Sequence, residues 1–274
     1  MIDLSLIWIL IIGLGVLIYV VLEGFDLGIG ILFPFISDRQ ERDVMMNTVA
    51  PVWDGNETWM VLGGAGLFAA FPLVYSTVLS ALYMPIILMV IALIFRGVAF
   101  EFRFKANKTK HLWDQAFIWG SILSSFLQGV ILGAYIQGIE TTNGIYTGGG
   151  LDWLTPFSLF TGISVVVLYA TLGCGWLIFK TEKMLQNRMF ELMPRLLISL
   201  LMIFACVSIY TPLAHPQIAE RWFSQPQLFY FSPVPVLVLL FTFLAIKACK
   251  QRKEFLPFIY TLALVILAYT GFLI

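Results

Sequence analysis

The chain has little charge for its length. Only 12% of its 274 residues are Asp, Glu, Lys or Arg, whereas soluble domains carry about a quarter. The acidic and basic residues cancel to a formal net charge of zero, so no basic excess is available to attract nucleic acid. Hydrophobic residues make up 60% of the chain. This composition predicts an integral membrane protein with almost no mass outside the bilayer and no nucleic-acid partner.

Residues that bind metals are also scarce, with three Cys and two His in the whole chain. The cysteines (Cys174, Cys206 and Cys249) lie in or beside apolar segments without CxxC spacing, so we interpret them as packing residues. His111 and His215 lie in predicted loops, whereas a haem inside a helix bundle usually takes axial His or Met ligands from the helices. We therefore expect this chain to bind neither haem nor metal through its own ligands.

Long apolar segments dominate what is present. Each is long enough to cross the roughly 30 Å hydrocarbon layer of a bilayer as a helix. They cover residues 6–36, 53–73, 78–100, 114–138, 156–179, 192–213, 229–248 and 255–274. The sequence therefore predicts eight transmembrane helices.

The basic residues alternate between the seven loops that join these segments. All but one of the sixteen Lys and Arg residues lie in odd-numbered loops or their approaches, and the exception is Arg221. Cytoplasmic loops are enriched in Lys and Arg. We therefore predict that the odd-numbered loops face the cytoplasm and that the N-terminus lies outside.

A polar, Gly-rich stretch at 140–155 divides the eight segments into two sets of four. We predict an all-α membrane protein in which residues 1–140 form an N-terminal four-helix bundle carrying the acidic motifs, and residues 151–274 form a C-terminal four-helix bundle. Four is an even number, so the two bundles would run parallel. Sequence similarity between the two halves gives this prediction little support, since the segment Tyr169–Gly173 only faintly resembles Tyr19–Glu23.

Five ionisable residues fall inside the predicted helices, where each costs several kcal/mol and marks a candidate functional site. They are Glu23 and Asp26 in the first segment, Asp54 and Glu57 in the second, and Arg96 in the third. Four carboxylates cannot all be ionised beside one Arg in a medium of low dielectric constant. We expect at least one of them to hold a proton, which is typical of a path that conducts protons from the cytoplasm.

Structural interpretations of the same residues stay open. Asp54 and Glu57 also fit as first-turn acids favoured by a helix dipole, and Asp26 could form a buried structural ion pair with Arg96. Glu23 is harder to explain in this way, because it is the deepest and has no opposite charge nearby in sequence. The glycines of Gly24–Gly30 indicate close helix packing.

Four motifs resemble those of one protein family. They are Glu23–Gly30 (EGFDLGIG), Pro51–Trp59 (PVWDGNETW), Leu67–Pro72 (LFAAFP) and Phe95–Glu101 (FRGVAFE). With these motifs the chain resembles subunit II of cytochrome bd-type quinol oxidases, including the cyanide-insensitive branch. The resemblance implies a bacterial cytoplasmic (inner) membrane protein that forms a heterodimer with a larger subunit I. In this family subunit I holds the b- and d-type haems and the loop that oxidises quinol, and the complex reduces oxygen to water.

The resemblance also implies roles for the buried charges. It assigns Asp54, Asp26 and Glu23 to a path for protons entering from the cytoplasm, and Arg96 to an ion pair or to support of a haem propionate. Glu57 ranks last, because the resemblance does not require an acid there. The family usually has a further C-terminal helix, so we expect one to be missing after residue 274. Whether a structural quinone or small accessory subunits bind this chain is left open.

Two other functions compete with the proton path. The chain could be a purely structural scaffold of the same complex, in which the carboxylates serve only as ion pairs. A secondary transporter would bind its substrate near the middle of the membrane at broken helices, and Pro85 and Pro194 are its only sequence support.

Overall fold

The computed structural model describes residues 3–214 and 216–273, and this part of the chain is helical apart from one small hairpin. Its elements, in chain order, are α1 (Leu4–Leu32), which continues into a 3-10 turn (Phe33–Phe35), α2 (Arg39–Asn47), α3 (Trp53–Ala70), α4 (Pro72–Phe102), α5 (Lys110–Gln137), β1 (Thr141–Thr142), β2 (Ile145–Tyr146), α6 (Pro156–Lys180), α7 (Lys183–Ala214), α8 (Pro216–Phe223), α9 (Gln227–Phe231), α10 (Pro233–Lys250) and α11 (Leu256–Leu273).

Six helical stretches in the described residues are long and apolar enough to cross a membrane. They are Leu4–Phe35, Pro72–Phe102, Lys110–Gln137, Pro156–Lys180, Lys183–Ala214 and Gln227–Lys250. The apolar part of α11 is shorter, at Leu256–Gly271, and α3 begins with several polar residues. The protein is therefore a multi-pass membrane protein, and the count of eight spans stays a prediction.

The first predicted loop contains a helix that the sequence analysis did not predict. Asp38 caps α2, because its carboxylate accepts hydrogen bonds from the backbone N–H groups of Gln40 and Glu41 at 2.7 and 3.0 Å. Only Met45 and Met46 of α2 are buried. Two adjacent buried residues in a polar segment do not make a detectable helical period, which is why the sequence predicts a loop here.

Helix α4 is kinked at Leu82, where φ is −117° and ψ is 15°. Pro85 lies three residues further on and has no N–H to donate to the carbonyl of Ala81, so the i to i−4 hydrogen bonding of the helix is interrupted there.

Ala81 and Leu82 pack with Ala134 of α5 in a buried cluster. The hairpin borders this cluster and turns at Asn143–Gly144, both at positive φ, as a two-residue hairpin loop requires.

A close crossing of α1 and α6 depends on glycine. A Cβ atom on Gly28 would collide with the backbone carbonyl of Tyr169 and lie 2.9 Å from the N atom of Gly173. The Cβ of Gly24 would lie 2.9 Å from the ring of Tyr169. The predicted packing role of Gly24–Gly30 therefore agrees with the contacts, which bring Tyr169 alongside the acidic turn of α1.

The chain forms two compact units, Met1–Gly173 and Cys174–Ile274. All five predicted site residues belong to the first unit. The second unit contains an aromatic cluster in which Trp176 and Phe179 contact Phe258, with ring centroids 5.6 and 6.4 Å apart. The buried thiol of Cys174 donates to the carbonyl of Met189 at 3.3 Å. The division into bundles at 140–151 stays a prediction.

Candidate functional site: a buried charge cluster in the first unit

The site is centred on an ion pair between α1 and α4. Arg96 and Glu23 are both 0% exposed, and Nη2 of Arg96 donates to Oε1 of Glu23. Nη1 of the same guanidinium donates to Oε2 of Glu57 in α3 at 3.4 Å. Gly120 of α5 lies directly against the backbone of α4 at this level, where an added Cβ atom would be 2.9 Å from the N atom of Arg96. One guanidinium therefore joins carboxylates from two helices.

Aromatic rings cover the guanidinium of Arg96. Trp53 and Phe100 are stacked with their centroids 4.9 Å apart and an interplanar angle of 8°. The Cζ atom of Arg96 lies 5.5 Å from each centroid, within the range of a cation–π interaction. This arrangement adds a cation–π attraction that stabilises the buried charge of Arg96.

Asp26 lies one helical turn from Glu23 and has a different partner. Nδ2 of Asn56 in α3 donates to Oδ2 of Asp26 at 2.9 Å. The described residues supply no donor to the remaining oxygens, Oδ1 of Asp26 and Oε2 of Glu23, although both are buried. Buried oxygens of this kind can accept a proton or a hydrogen bond from water.

The electrostatics of the cluster are unbalanced. Three carboxylates (Glu23, Asp26 and Glu57) share one buried Arg, so full ionisation would leave two uncompensated negative charges in a membrane-spanning region. Such a state is strongly disfavoured where the dielectric constant is low. The arrangement can therefore take up and release protons, because a proton added to one carboxylate relieves the repulsion on the others.

The structure changes the predicted relations between the site residues. Arg96 pairs with Glu23 and Glu57, not with Asp26 as the structural interpretation suggested. Asp54 is exposed, and within the described part of the chain it makes no hydrogen bond or ion pair with the cluster. Glu57, ranked last from the sequence, is in direct contact with Arg96.

Glu57 also connects the buried pair with the surface. Its side chain is 25% exposed and borders a groove of about 330 Å³ between α3 and α4. Trp53, Gly97 and Glu101 line the same groove. Asn56 was missed and Glu57 was ranked last, because sequence spacing indicates only which residues share a helix face. Asn56 lies in the same motif as Asp54, which is the signal that could have identified it.

A second charge network lies near the ends of α2, α4 and α5, and the sequence analysis missed it. Arg103 is 0% exposed and donates to Asp114 and, at 2.6 Å, to Asp43. Arg42 donates to Asp114 at 3.1 Å, and Lys110 contacts Asp43 at 2.9 Å. The sequence indicates Arg42, Arg103 and Lys110 only as positive charges that orient the chain. In the structure their ion pairs join α2, the end of α4 and α5.

The carboxyl of Asp43 is affected by this network. Partial burial raises its pKa, but the hydrogen bonds from Lys110 and Arg103 and their positive charges outweigh that effect. The net result is a pKa below the ordinary value of 3.8, so Asp43 stays ionised and holds both cations.

The described histidine does not fit the role of a haem ligand. His111 is exposed in the first turn of α5, unlike an axial ligand of a haem buried among helices. His215 lies outside the described residues. Within residues 3–214 and 216–273, no group of three or more His, Cys, Asp or Glu side chains could hold a metal ion.

Fold and site together define a helical, multi-pass membrane protein with a protonatable charge cluster buried among its first helices. A family profile described as cytochrome bd terminal oxidase subunit II matches residues 4–274. The chain belongs to that family, and the resemblance noted in the sequence is confirmed.

Individual relatives agree with this assignment. The chain is 35% identical over 191 residues to a probable cytochrome oxidase subunit 2 of Haemophilus influenzae. It is 34% identical over 197 residues to the cytochrome bd-I ubiquinol oxidase subunit 2 of Escherichia coli, and 33% identical over 186 residues to the cytochrome bd ubiquinol oxidase subunit 2 of Bacillus subtilis. For the H. influenzae, E. coli and B. subtilis proteins in that order, the matches cover 66%, 68% and 66% of this chain. They cover 50%, 51% and 55% of the length of those relatives. The chain thus spans about half the length of the relatives it matches.

A solved structure shares the fold. The bd oxidase from Geobacillus thermodenitrificans aligns with a TM-score of 0.81 over 98% of this chain and 83% of that chain. The sequence identity is 18%, so this likeness supports the fold alone.

Proposed function

We propose that this chain is an accessory subunit of a membrane terminal oxidase, and that its buried charge cluster conducts protons from the cytoplasm toward a haem-bearing subunit I. The complex would oxidise quinol and reduce oxygen to water in the bacterial cytoplasmic membrane. Haems b and d would be held by subunit I and supply the oxygen chemistry, so this chain would not be catalytic alone. The observation that carries the proposal is the cluster of Glu23, Asp26, Glu57 and Arg96, with more carboxylates than cations.

The topology that we propose makes the cluster accessible from the cytoplasm. The bias of Lys and Arg toward odd-numbered loops favours an outside N-terminus and eight spans, with α3 and α11 added to the six longer stretches. Asp54 and Glu57 then lie near the cytoplasmic end of α3, while Glu23 lies about 13 Å from the end of α1 at 1.5 Å per residue. The carboxylates would thus be graded in depth.

Each residue has a distinct role in the proposed path. Asp54 is exposed and collects protons, and Glu57 passes them toward the buried carboxylates. Asn56 holds Asp26 in place by its hydrogen bond. Asp26 and Glu23 each have one oxygen that can accept a proton. When Glu23 is protonated its attraction to Arg96 weakens, and Arg96 can shift toward Glu57 without leaving the cluster. Arg96 therefore keeps the carboxylates in place by charge-assisted hydrogen bonds.

A scaffold role in the same complex is the second candidate. The observation that favours it is that the buried charges have partners, since Arg96 is paired with Glu23 and Asp26 is bonded to Asn56. Buried ion pairs are found in structural positions as well as in functional ones. In that case the carboxylates would be needed for assembly but not for turnover.

Replacement of Asp26 by asparagine separates the two candidates. The asparagine side chain has nearly the same volume but cannot carry a proton, so the proton path predicts that oxygen consumption per assembled complex falls by about a hundredfold, a loss typical of removing an acid–base group. The measurement is quinol-driven oxygen consumption normalised to the haem content of the purified complex.

Glu101→Gln is the matched control for this experiment. Glu101 lines the groove beside Glu57, but its side chain is 65% exposed, and its ion-pair partner in the described part of the chain is Lys105 at 3.5 Å. We expect this variant to keep normal turnover. Normal turnover per assembled complex in Asp26→Asn would instead favour the scaffold.

A further inference from the structure

Helices α1 and α5 are in contact along a seam of small and polar residues. At one end of the seam, a Cβ atom added to Gly30 of α1 would collide with the hydroxyl of Ser121 in α5. At the other end, Nε2 of Gln128 in α5 donates to the hydroxyl oxygen of Tyr19 in α1 at 2.9 Å. The later residue of α1 thus meets the earlier residue of α5, so the two helices run antiparallel.

Asp26 of the charge cluster lies between the two ends of this seam. It is four residues before Gly30, so both residues are on one face of α1 and about 6 Å apart along its axis. Ser125 is four residues after Ser121 and is displaced by the same distance along α5. Because the helices are antiparallel, Asp26 is level with Ser125 and about one turn from Ser121. The free oxygen of Asp26 and the serines of α5 therefore belong to the same stretch of the interface.

The seam contains hydrogen-bonding atoms that the described part of the chain does not satisfy. Ser121, Asp26 and Glu23 are all 0% exposed. The hydroxyl of Ser121, Oδ1 of Asp26 and Oε2 of Glu23 each have no partner among the described residues. Buried polar atoms that lack a protein partner usually bind ordered water, and a buried water typically makes about three hydrogen bonds. A hydroxyl and two carboxylate oxygens are a suitable set of partners for water.

The neighbouring serines of α5 differ from Ser121 in this respect. Ser124 and Ser125 are also 0% exposed, but their hydroxyls donate to the backbone carbonyl of Ser121 at 3.3 and 2.7 Å. A serine inside a helix commonly satisfies its hydroxyl in this way. The Ser121 hydroxyl makes no such bond and lies against Gly30 of α1 instead. It is therefore the serine of this group that has a hydroxyl available for a ligand.

We infer that Ser121 and Asp26 hold a buried water molecule between α1 and α5, bonded to the Ser121 hydroxyl and to Oδ1 of Asp26. The role of this water rests on the proposed proton path. The water accepts a proton from the carboxyl of Asp26 and passes one of its own toward Oε2 of Glu23, so it is left unchanged. A second water completes the bridge where one does not reach. Ser121 is then a positioning residue of the path, because it acts through the water.

An electron cryo-microscopy map of the assembled complex, at a resolution that shows ordered waters, tests the site. We expect density for a water within hydrogen-bonding distance of both Ser121 Oγ and Asp26 Oδ1. Ser121→Ala should lose this density. Ser124→Ala is the matched control and should keep it, because Ser124 lies four residues after Gly120 and is on the side of α5 that packs against α4. A map without this water, or the same density in Ser121→Ala, would overturn the site.

Proton uptake after oxygen is mixed with the reduced complex tests the role of the water. We expect Ser121→Ala to slow uptake several-fold at normal haem content, and Ser124→Ala to leave it unchanged. In an Asp26→Asn background, Ser121→Ala should slow uptake no further, because the water then serves a side chain that carries no proton. Equal uptake rates in Ser121→Ala and Ser124→Ala, or a full additional loss in the Asp26→Asn background, would overturn this role.

The two measurements separate this inference from the proposed function. The map needs no turnover, so a water at Ser121 together with normal turnover in Asp26→Asn would support the site and contradict the proton path. Slow turnover in Asp26→Asn with no water at Ser121 would support the path and overturn the site. If Ser121→Ala does not assemble, Ser121→Cys decides the outcome, because a thiol has a similar size but is a weak hydrogen-bonding group. We expect it to change the density and slow uptake in the same direction.

Discussion

Arg96 shows how a residue can have a role that its sequence position does not reveal. The sequence predicted that Arg96 is buried and near acids, because a charge inside an apolar segment must find a partner. It could not predict which acid, since α1, α3 and α4 can rotate about their axes without altering the hydropathy pattern. The contacts of Glu23 and Glu57 with one guanidinium depend on those rotations.

Asp43 gives the residue-scale prediction that depends on pH. Its pKa is lower in the folded protein than the ordinary 3.8, so it stabilises the fold fully above that value and loses its effect as pH falls through the folded pKa. Asp43→Asn should therefore lower the thermal unfolding midpoint at neutral pH. The difference from the unaltered protein should shrink as pH falls below about 4.

Thermal scans of the detergent-purified complex over a pH series would measure this difference. Glu101→Gln again serves as the control, because its exposed pair with Lys105 should add little at any pH. A difference for Asp43→Asn that stays constant down to strongly acidic pH would contradict the role given to the hydrogen bonds from Lys110 and Arg103.

At the scale of elements, the crossing of α1 and α6 depends on Gly28. Gly28→Ala would place a methyl group against the backbone of Tyr169 and Gly173, which cannot move aside as a flexible side chain can. We expect a loss of about 1–3 kcal/mol, the usual effect of overpacking. It should appear as a lower thermal unfolding midpoint and a lower yield of folded protein.

Gly64→Ala is the matched control, because nothing lies within 4 Å of a Cβ atom added to this glycine in the middle of α3. Alanine is the better helix former by up to about 1 kcal/mol, so this variant should be as stable as the unaltered protein or slightly more stable. Equal effects of the two substitutions would show that the crossing is looser than the structure indicates.

The long apolar helices could be predicted closely, whereas shorter elements could not. The segment 156–179 lies within α6, and 114–138 coincides with most of α5, because membrane thickness imposes their length and composition. Helix α2 has no such constraint, and its two buried methionines were too few to predict it. The helix α7 begins at Lys183, earlier than the predicted 192, because its first turns are polar and outside the apolar pattern.

At the scale of the whole molecule, the proposed proton path needs a partner subunit that consumes the protons. We expect the tagged chain, purified from its native membrane, to bring with it a larger chain. The reduced-minus-oxidised absorption spectrum of the product should show b- and d-type haem bands. The physical reason is that the proposed path ends at a protein that consumes protons.

If the same purification gave this chain alone and without haem, the proposed role as an oxidase subunit would be contradicted. The secondary-transporter hypothesis would then be favoured. The control is a membrane that contains the chain without a tag, carried through the same steps. It identifies haem proteins that the resin retains without the tag. Co-purification would establish the complex, but it would not distinguish a proton path from a scaffold.

Proton uptake by a Glu23→Gln complex tests the central claim most directly. Glu23 is fully buried and bonded to Arg96. The side-chain oxygen of Gln can still accept that hydrogen bond, but the amide cannot take up a proton. Uptake would be followed with a pH-indicating dye after oxygen is mixed with the reduced, haem-loaded complex. The account predicts normal haem content with proton uptake slowed by about a hundredfold. Uptake at the unaltered rate in a fully haem-loaded complex would contradict it.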